Sequence, residues 1–184
     1  MIPDTLAKSD TEHSHQRAFF QWLNMASVYG FMGACDDLSY ELPGHARTKY
    51  GIVLSGSTQA HPELNLFHAI PNGGKRDKIT GAKMKQEGVR PGVCDTFLPV
   101  AKSFYFPEMD DQQVGGGQGF YYGLYIEFKA PKYITRKNGG VSDKQDAFME
   151  GVRGQGYCAR VAYSWREAAN LVMAYYGSET RLDT

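Results

Sequence analysis

The sequence predicts an α/β domain: a mixed central sheet flanked by helices. Three observations carry that expectation. From Phe120 to Lys129 the chain is dominated by aromatic and branched residues, with Leu124, Ile126 and Phe128 alternating against Tyr125, Glu127 and Lys129, the period-two pattern of a strand. Ser142-x-x-Gln145 and Ser164-x-x-Glu167 both have the capping-box spacing ahead of helical apolar patterns. Between those two helices, Cys158 to Tyr163 fits a buried strand, so strand and helix alternate as they do where helices cover a sheet.

The first helix is expected from about Asp10 to Ala26, where Ser9-Asp10-Thr11-Glu12 has capping-box spacing and Phe19, Trp22, Leu23 and Ala26 follow at helical intervals. Glu12 falls on the same face as Phe19, Leu23 and Ala26, at its N-terminal end. It can cap the helix or reach inward to a metal, and spacing leaves both roles open. Residues 27–63 lack sustained periodicity and hold many Gly, Pro, Ser and polar residues around Ile52-Val53-Leu54, which predicts an insertion with a short hairpin.

Leu64, Leu66, His68 and Ile70 alternate, predicting a strand that ends at Pro71-Asn72-Gly73-Gly74; a basic helix over about Arg76 to Gln86 then stops at Gly88. Val93 to Val100 reads as a second strand, shortened by Pro99. Residues 101–119, with Pro107 and Gly115-Gly116-Gly117, predict a flexible excursion, and Pro131 to Gly140 a basic loop. The helix opened by Ser142 should run to about Gly154 with Phe148, Met149 and Val152 inward, and the last helix to Tyr176.

At 184 residues the chain has the size of one domain with a respectable core. No apolar run approaches the roughly 20 residues that span a bilayer, and Met1-Ile2-Pro3-Asp4 does not read as a signal peptide, so no membrane association is expected. The three cysteines, Cys35, Cys94 and Cys158, are far apart, which indicates neither a zinc knuckle nor a disulfide framework and suits a reducing cytosol. Lys and Arg number 20 and Asp and Glu 20, so whole-molecule attraction to nucleic acid is weak. The distribution differs: Lys75, Arg76, Lys78, Lys83, Lys85 and Arg90 crowd one segment, and Lys129, Lys132, Arg136 and Lys137 another. Basic segments beside carboxylates suit a reader of phosphate backbones, although solvated surface accounts for such runs as well.

A strand carrying Glu127 and Lys129 points both at one face, and a neighbouring strand bringing Asp95 there would gather two carboxylates and an ammonium. Hard oxygen ligands of that kind suit magnesium, which keeps several waters and completes its shell with substrate phosphate. Manganese would be expected to substitute. Phosphodiester hydrolysis is the natural chemistry. Lys129 would hold or polarise the attacking water and offset developing negative charge. For Asp95 the competing role is a salt bridge to Arg90 or Lys129; for Lys129 it is an exposed strand lysine. Gln145 is placed either to cap its helix or to contact the water or a phosphate. The histidines His13, His15, His45, His61 and His68 show no zinc spacing, and no Gly-x-Ser-x-Gly, Walker or dinucleotide pattern is present.

Taken in order, Gly88-Val89-Arg90-Pro91-Gly92-Val93-Cys94-Asp95, Tyr125-Ile126-Glu127-Phe128-Lys129 and Ser142-Asp143-Lys144-Gln145 resemble the virus-type replication-repair nuclease (VRR-NUC) branch of the PD-(D/E)XK nucleases. The resemblance extends to Glu12, to Ile70-Pro71-Asn72-Gly73-Gly74-Lys75-Arg76, to Gly156-Tyr157 and to Tyr163-Ser164, covering most of residues 10–177. It departs at Cys94, where the family usually has Pro.

The resemblance implies a restriction-endonuclease-like core, with Asp95, Glu127, Lys129 and Gln145 as catalytic residues. Glu12, Asp95, Glu127 and the Phe128 carbonyl would hold the metal. Asn72, Gly73, Gly74, Lys75, Arg76 and Arg90 would contact DNA. The implied function is a magnesium-dependent, structure-specific endodeoxyribonuclease of the stand-alone phage or bacterial type, resolving Holliday junctions in branched DNA as a homodimer, in the bacterial cytosol if phage or prophage encoded. A flap or replication-fork nuclease is the second enzyme reading, and a catalytically silent DNA-binding or scaffold protein the alternative of another class.

Overall fold

A computed structural model of the chain describes residues 3–35, 39–42, 45–47, 53–55, 60–71, 83–84, 86–105, 118–178 and 182. A short helix, α1 (Pro3–Ala7), is followed by Asp10 at φ 50°, whose amide donates to the Ala7 carbonyl, and α2 (Glu12–Cys35) begins two residues on. The cap of α2 is Thr11. Its hydroxyl accepts from the Ser14 amide at 3.1 Å, and the Ser14 hydroxyl accepts from the Thr11 amide at 2.9 Å. This corrects the expected Ser9–Glu12 box: a left-handed residue cannot join a helix, so the frame moves past Asp10 and Glu12 opens the helix with its side chain released from capping. The helix also outruns its expected end at Ala26. Tyr29, Phe31 and Ala34 remain buried, and Gly30, at φ 72°, takes the kink between two helical stretches.

Within the 27–63 segment, β1 (Ser39–Leu42), β2 (His45–Arg47) and β3 (Val53–Ser55) pair antiparallel as a small separate sheet. The expected strand over Leu64–Ile70 is largely replaced by a 3-10 turn at Pro62–Leu66, leaving only β4 (His68–Ala69). Pro62 starts that turn, and the buried residues are Leu64 and Phe67 while Leu66 is exposed, so the inward spacing is three rather than two. The second strand shortens to β5 (Thr96–Leu98). Part of the excursion over 101–119 is a hairpin: β6 (Lys102–Tyr105) pairs antiparallel with β7 (Gln118–Tyr121). β8 (Leu124–Phe128) follows a break at Tyr122-Gly123, where a Cβ on Gly123 would lie 2.8 Å from the Leu98 carbonyl. Most of the expected basic helix lies outside the described residues, although Lys83, Met84 and Gln86 are helical.

The central sheet has the order β4-β5-β8-β9, with β9 spanning Cys158–Ala162. β5 runs antiparallel to both β4 and β8, whereas β8 and β9 are parallel and joined through α3 (Asp143–Arg153). The mixed α/β architecture is therefore the one expected. On one face Leu98, Leu124, Ile126 and Phe128 pack against Phe19 and Trp22 of α2 and against Ala168, Val172 and Met173 of α4 (Trp165–Tyr175). On the other, Cys94, Met149 and Ala159 form a smaller core with Tyr125, Phe148 and Val152. Alternation along β8 thus sends Ile126 and Phe128 to the large core and Tyr125 and Glu127 toward α3. Among the described residues no helix is long and apolar enough to cross a membrane.

Candidate active site

Asp95 ends the Gly88–Cys94 approach to β5. Its carbonyl accepts from the Ile70 amide at 2.7 Å, and its carboxylate accepts from the Phe128 amide at 2.8 Å. The second bond crosses from β5 to β8, so the Asp95 carboxylate sits against the peptide that follows Glu127. Gly92, at φ 90°, lets this approach pass close to α3: a Cβ there would stand 2.4 Å from the Lys144 carbonyl, a distance that only glycine permits.

Glu127 is completely buried and Lys129 nearly so, at 0% and 6% exposure. One oxygen of Glu127, Oε1, accepts from both the Lys129 ammonium and the Gln145 side-chain amide. The other, Oε2, is buried without a hydrogen-bond partner. A half-satisfied buried carboxylate is expensive unless it neutralises or finds a cation. Burial pushes the Glu127 carboxyl up to about 7, the Asp95 charge adds to that rise, and Lys129 opposes it. Burial likewise raises Asp95, against the lowering effects of the Phe128 amide and Lys129.

Glu12, at the head of α2, belongs to the same electrostatic unit. Its carboxyl is raised by burial, lowered by Lys129 and raised by Asp95. For Lys129 burial favours the neutral amine, but the Glu127 hydrogen bond and the charges of Glu127, Glu12 and Asp95 together hold the ammonium above its ordinary range. The negative charge of three carboxyl groups is therefore felt at one ammonium, an imbalance that a further positive charge would relieve.

Gln145 fills the capping role that its spacing offered and also touches Glu127. Its Oε1 accepts from the Ser142 amide at 3.0 Å while the Ser142 hydroxyl accepts from the Gln145 amide, completing the capping box, and its Nε2 donates to Glu127. The cap consequently locks the side chain that touches the buried carboxylate. Arg90 is exposed on the Gly88–Cys94 approach, while Asn72, Gly73, Gly74, Lys75 and Arg76 lie outside the described residues. His68 is exposed on β4 with its ring edge-on to Phe97, and His15 is buried between Asp10 and the Trp165 amide; both are held by neighbours outside this constellation.

The donor set fits a hard divalent cation: two carboxylates from adjacent strands, with one buried oxygen unpartnered. Among the described residues no group of three or more His, Cys, Asp or Glu side chains is placed to hold a metal ion together.

No protein-family profile matches the chain, and no curated protein matches it. Among solved structures, one described as a VRR_NUC domain protein is similar at 19% identity, over 90% of this chain and 87% of that one, with a TM-score of 0.49.

Proposed function

We propose that this chain is a divalent-metal-dependent endodeoxyribonuclease acting on branched DNA, with Asp95, Glu127, Lys129 and Gln145 as its catalytic group. The observation that carries the reading is the buried Glu127 carboxylate, shared by Lys129 and Gln145 on one oxygen and free on the other, with Asp95 held beside it. The sequence resemblance to the VRR-NUC nucleases supports the same assignment.

Asp95, Glu127 and the Phe128 carbonyl would hold magnesium or manganese, with Glu12 adding negative charge to the site. When bound, the cation would supply Lewis-acid polarisation of the scissile phosphate. Lys129 keeps a charged ammonium beside that position and stabilises negative charge growing on the phosphate oxygens. Gln145, fixed by its cap, orients the groups around Glu127. Paired incision of a four-way junction needs two such sites in fixed relation, which a two-fold homodimer provides.

The test compares purified protein with magnesium, manganese or chelator on matched four-way junction, flap, fork and linear DNA. Metal-dependent incision with the junction preferred is expected, and mixed dimers carrying one Glu127→Ala protomer should nick one strand only. Incision in chelator would refute the metal site; preference for flaps by a monomer would replace the junction reading with a flap nuclease.

A further inference from the structure

Segment 131–140 lies on the connection from β8 to α3, between two residues of the proposed active site: Lys129 precedes it and Gln145, in the first turn of α3, follows it. It carries Lys132, Arg136 and Lys137 with no acidic residue. Between them Ile134 is 54% exposed and belongs to neither core cluster of the described residues. A lone exposed isoleucine is ordinary on a protein surface. One set among three cations, on a connection between two residues of the proposed site, is a different arrangement.

The loop is built rather than slack. Two 3-10 turns, Pro131–Tyr133 and Lys137–Gly140, flank the apex, and the Ile134, Arg136 and Gly139 amides bond back to the Pro131, Tyr133 and Arg136 carbonyls. The Tyr133 ring lies 4.4 Å from the Arg136 guanidinium and 5.4 Å from the Lys132 ammonium, holding both cations beside the apex. Just past β9, the Tyr163 hydroxyl donates to the Gly139 carbonyl at 3.1 Å. Gly140, at φ 79°, closes against Tyr133, where a Cβ would meet the Tyr133 Cβ at 2.8 Å. A rigid apex can present an apolar side chain without folding it back into the protein.

We propose that this loop is a DNA wedge: Ile134 enters a base step at the branch point while Lys132, Arg136 and Lys137 hold the flanking phosphates. The inference rests on the nuclease reading and deepens it, since it assigns recognition of the branch to this element. Charge complementarity selects the occupant. An apolar wedge between cations matches an unstacked base step lying between two phosphates, and branch points offer the steps that unstack at least cost. The short path from Lys129 then sets the incision near the branch.

The test uses the full chain in chelator, so that binding is read without cleavage, on a four-way junction carrying 2-aminopurine beside the branch and on a linear duplex of the same sequence. Wild type should raise the 2-aminopurine fluorescence. Ile134→Ala should abolish that rise and cut the junction-over-duplex preference about tenfold, leaving duplex affinity, sedimentation mass and circular dichroism unchanged, while Ile134→Leu retains the wild-type behaviour. Neutralising Lys132, Arg136 and Lys137 together should weaken both DNAs and flatten the log–log salt slope by up to about three. An Ile134→Ala protein that keeps the fluorescence and the preference overturns the wedge, as does one whose mass shifts, because Ile134 would then belong to an interface between copies. If wild type cleaves with metal and only the wedge signals fail, the nuclease reading survives; if it neither binds nor cleaves DNA, both fall.

Discussion

Burial of Glu127 should make the protein in chelator lose stability as pH rises, and Glu127→Gln should remove that loss. The carboxyl is raised from 4.5 to about 7, chiefly by desolvation, so between those values the folded state keeps a proton that the unfolded state has released. Folding stability is then greatest below 4.5 and declines as pH climbs through about 7. At about 1.4 kcal/mol per pH unit, the interval corresponds to on the order of 3 kcal/mol. Asp95 and Glu12 are raised as well and act in the same direction, so the wild-type decline is shared. The difference between wild type and Glu127→Gln isolates the Glu127 part. Urea unfolding in chelator at a series of pH values across this interval measures it, and the same series with magnesium should show stabilisation that grows with pH, because only the ionised carboxylates take the cation. A wild-type stability that rises with pH, or a slope that Glu127→Gln leaves intact, would refute the reasoning.

Further outcomes concern individual groups. Asp95→Asn keeps an acceptor for the Phe128 amide but removes a ligand charge, so calorimetry should show magnesium binding lost and gel assays incision abolished, with the unfolding midpoint little changed or raised. Lys129→Met should lower single-turnover incision by about a hundredfold or more while Asp95 and Glu127 still bind the cation; equal loss of metal binding would make Lys129 an organising residue only. Gly92→Ala combines a left-handed backbone position with a Cβ 2.4 Å from the Lys144 carbonyl, so thermal unfolding should show a loss of about 1–3 kcal/mol or more, and incision should fall too because Lys144 adjoins Gln145. Normal activity in that variant would uncouple the Asp95 approach from the placement of α3.

What the sequence made legible was local. β8, α3, β9 and α4 are each visible in a cap or an apolar pattern, although the strand expected over Phe120–Lys129 breaks before β8. The box at Ser142 forms in full, while at Ser164 the hydroxyl caps and Glu167 reaches the Tyr163 amide instead. What it hid was set by context. Leu64 and Phe67 look like parts of a strand until Pro62 starts a 3-10 turn, and the α2 cap depends on a left-handed Asp10 that residue identity does not specify. The depth of Glu127 was hidden as well. Alternation separates two faces of a strand but is silent on whether α3 covers the second, and here Leu124, Ile126, Glu127, Phe128 and Lys129 are all buried.

That depth bears on why the constellation exists. A buried Glu–Lys pair is poor material for stability, because desolvating two charges consumes most of what their attraction returns, and apolar residues of similar volume would serve the sheet as well or better. The Glu127 pair falls short even of that standard, since Oε2 has no partner and Asp95 adds a like charge. Tyr125, one step along the same face, shows what packing alone would select there: its ring stacks on Phe97 at 4.3 Å and meets Phe148 edge-on. The polar group begins where that aromatic packing ends, at the edge from which Lys129 leads into the basic loop and where the Ser142 cap fixes Gln145. The two donors turned onto Glu127 are what a structural pair would also show; the surplus of negative charge and the orphaned oxygen are not, and the proposed cation would account for both.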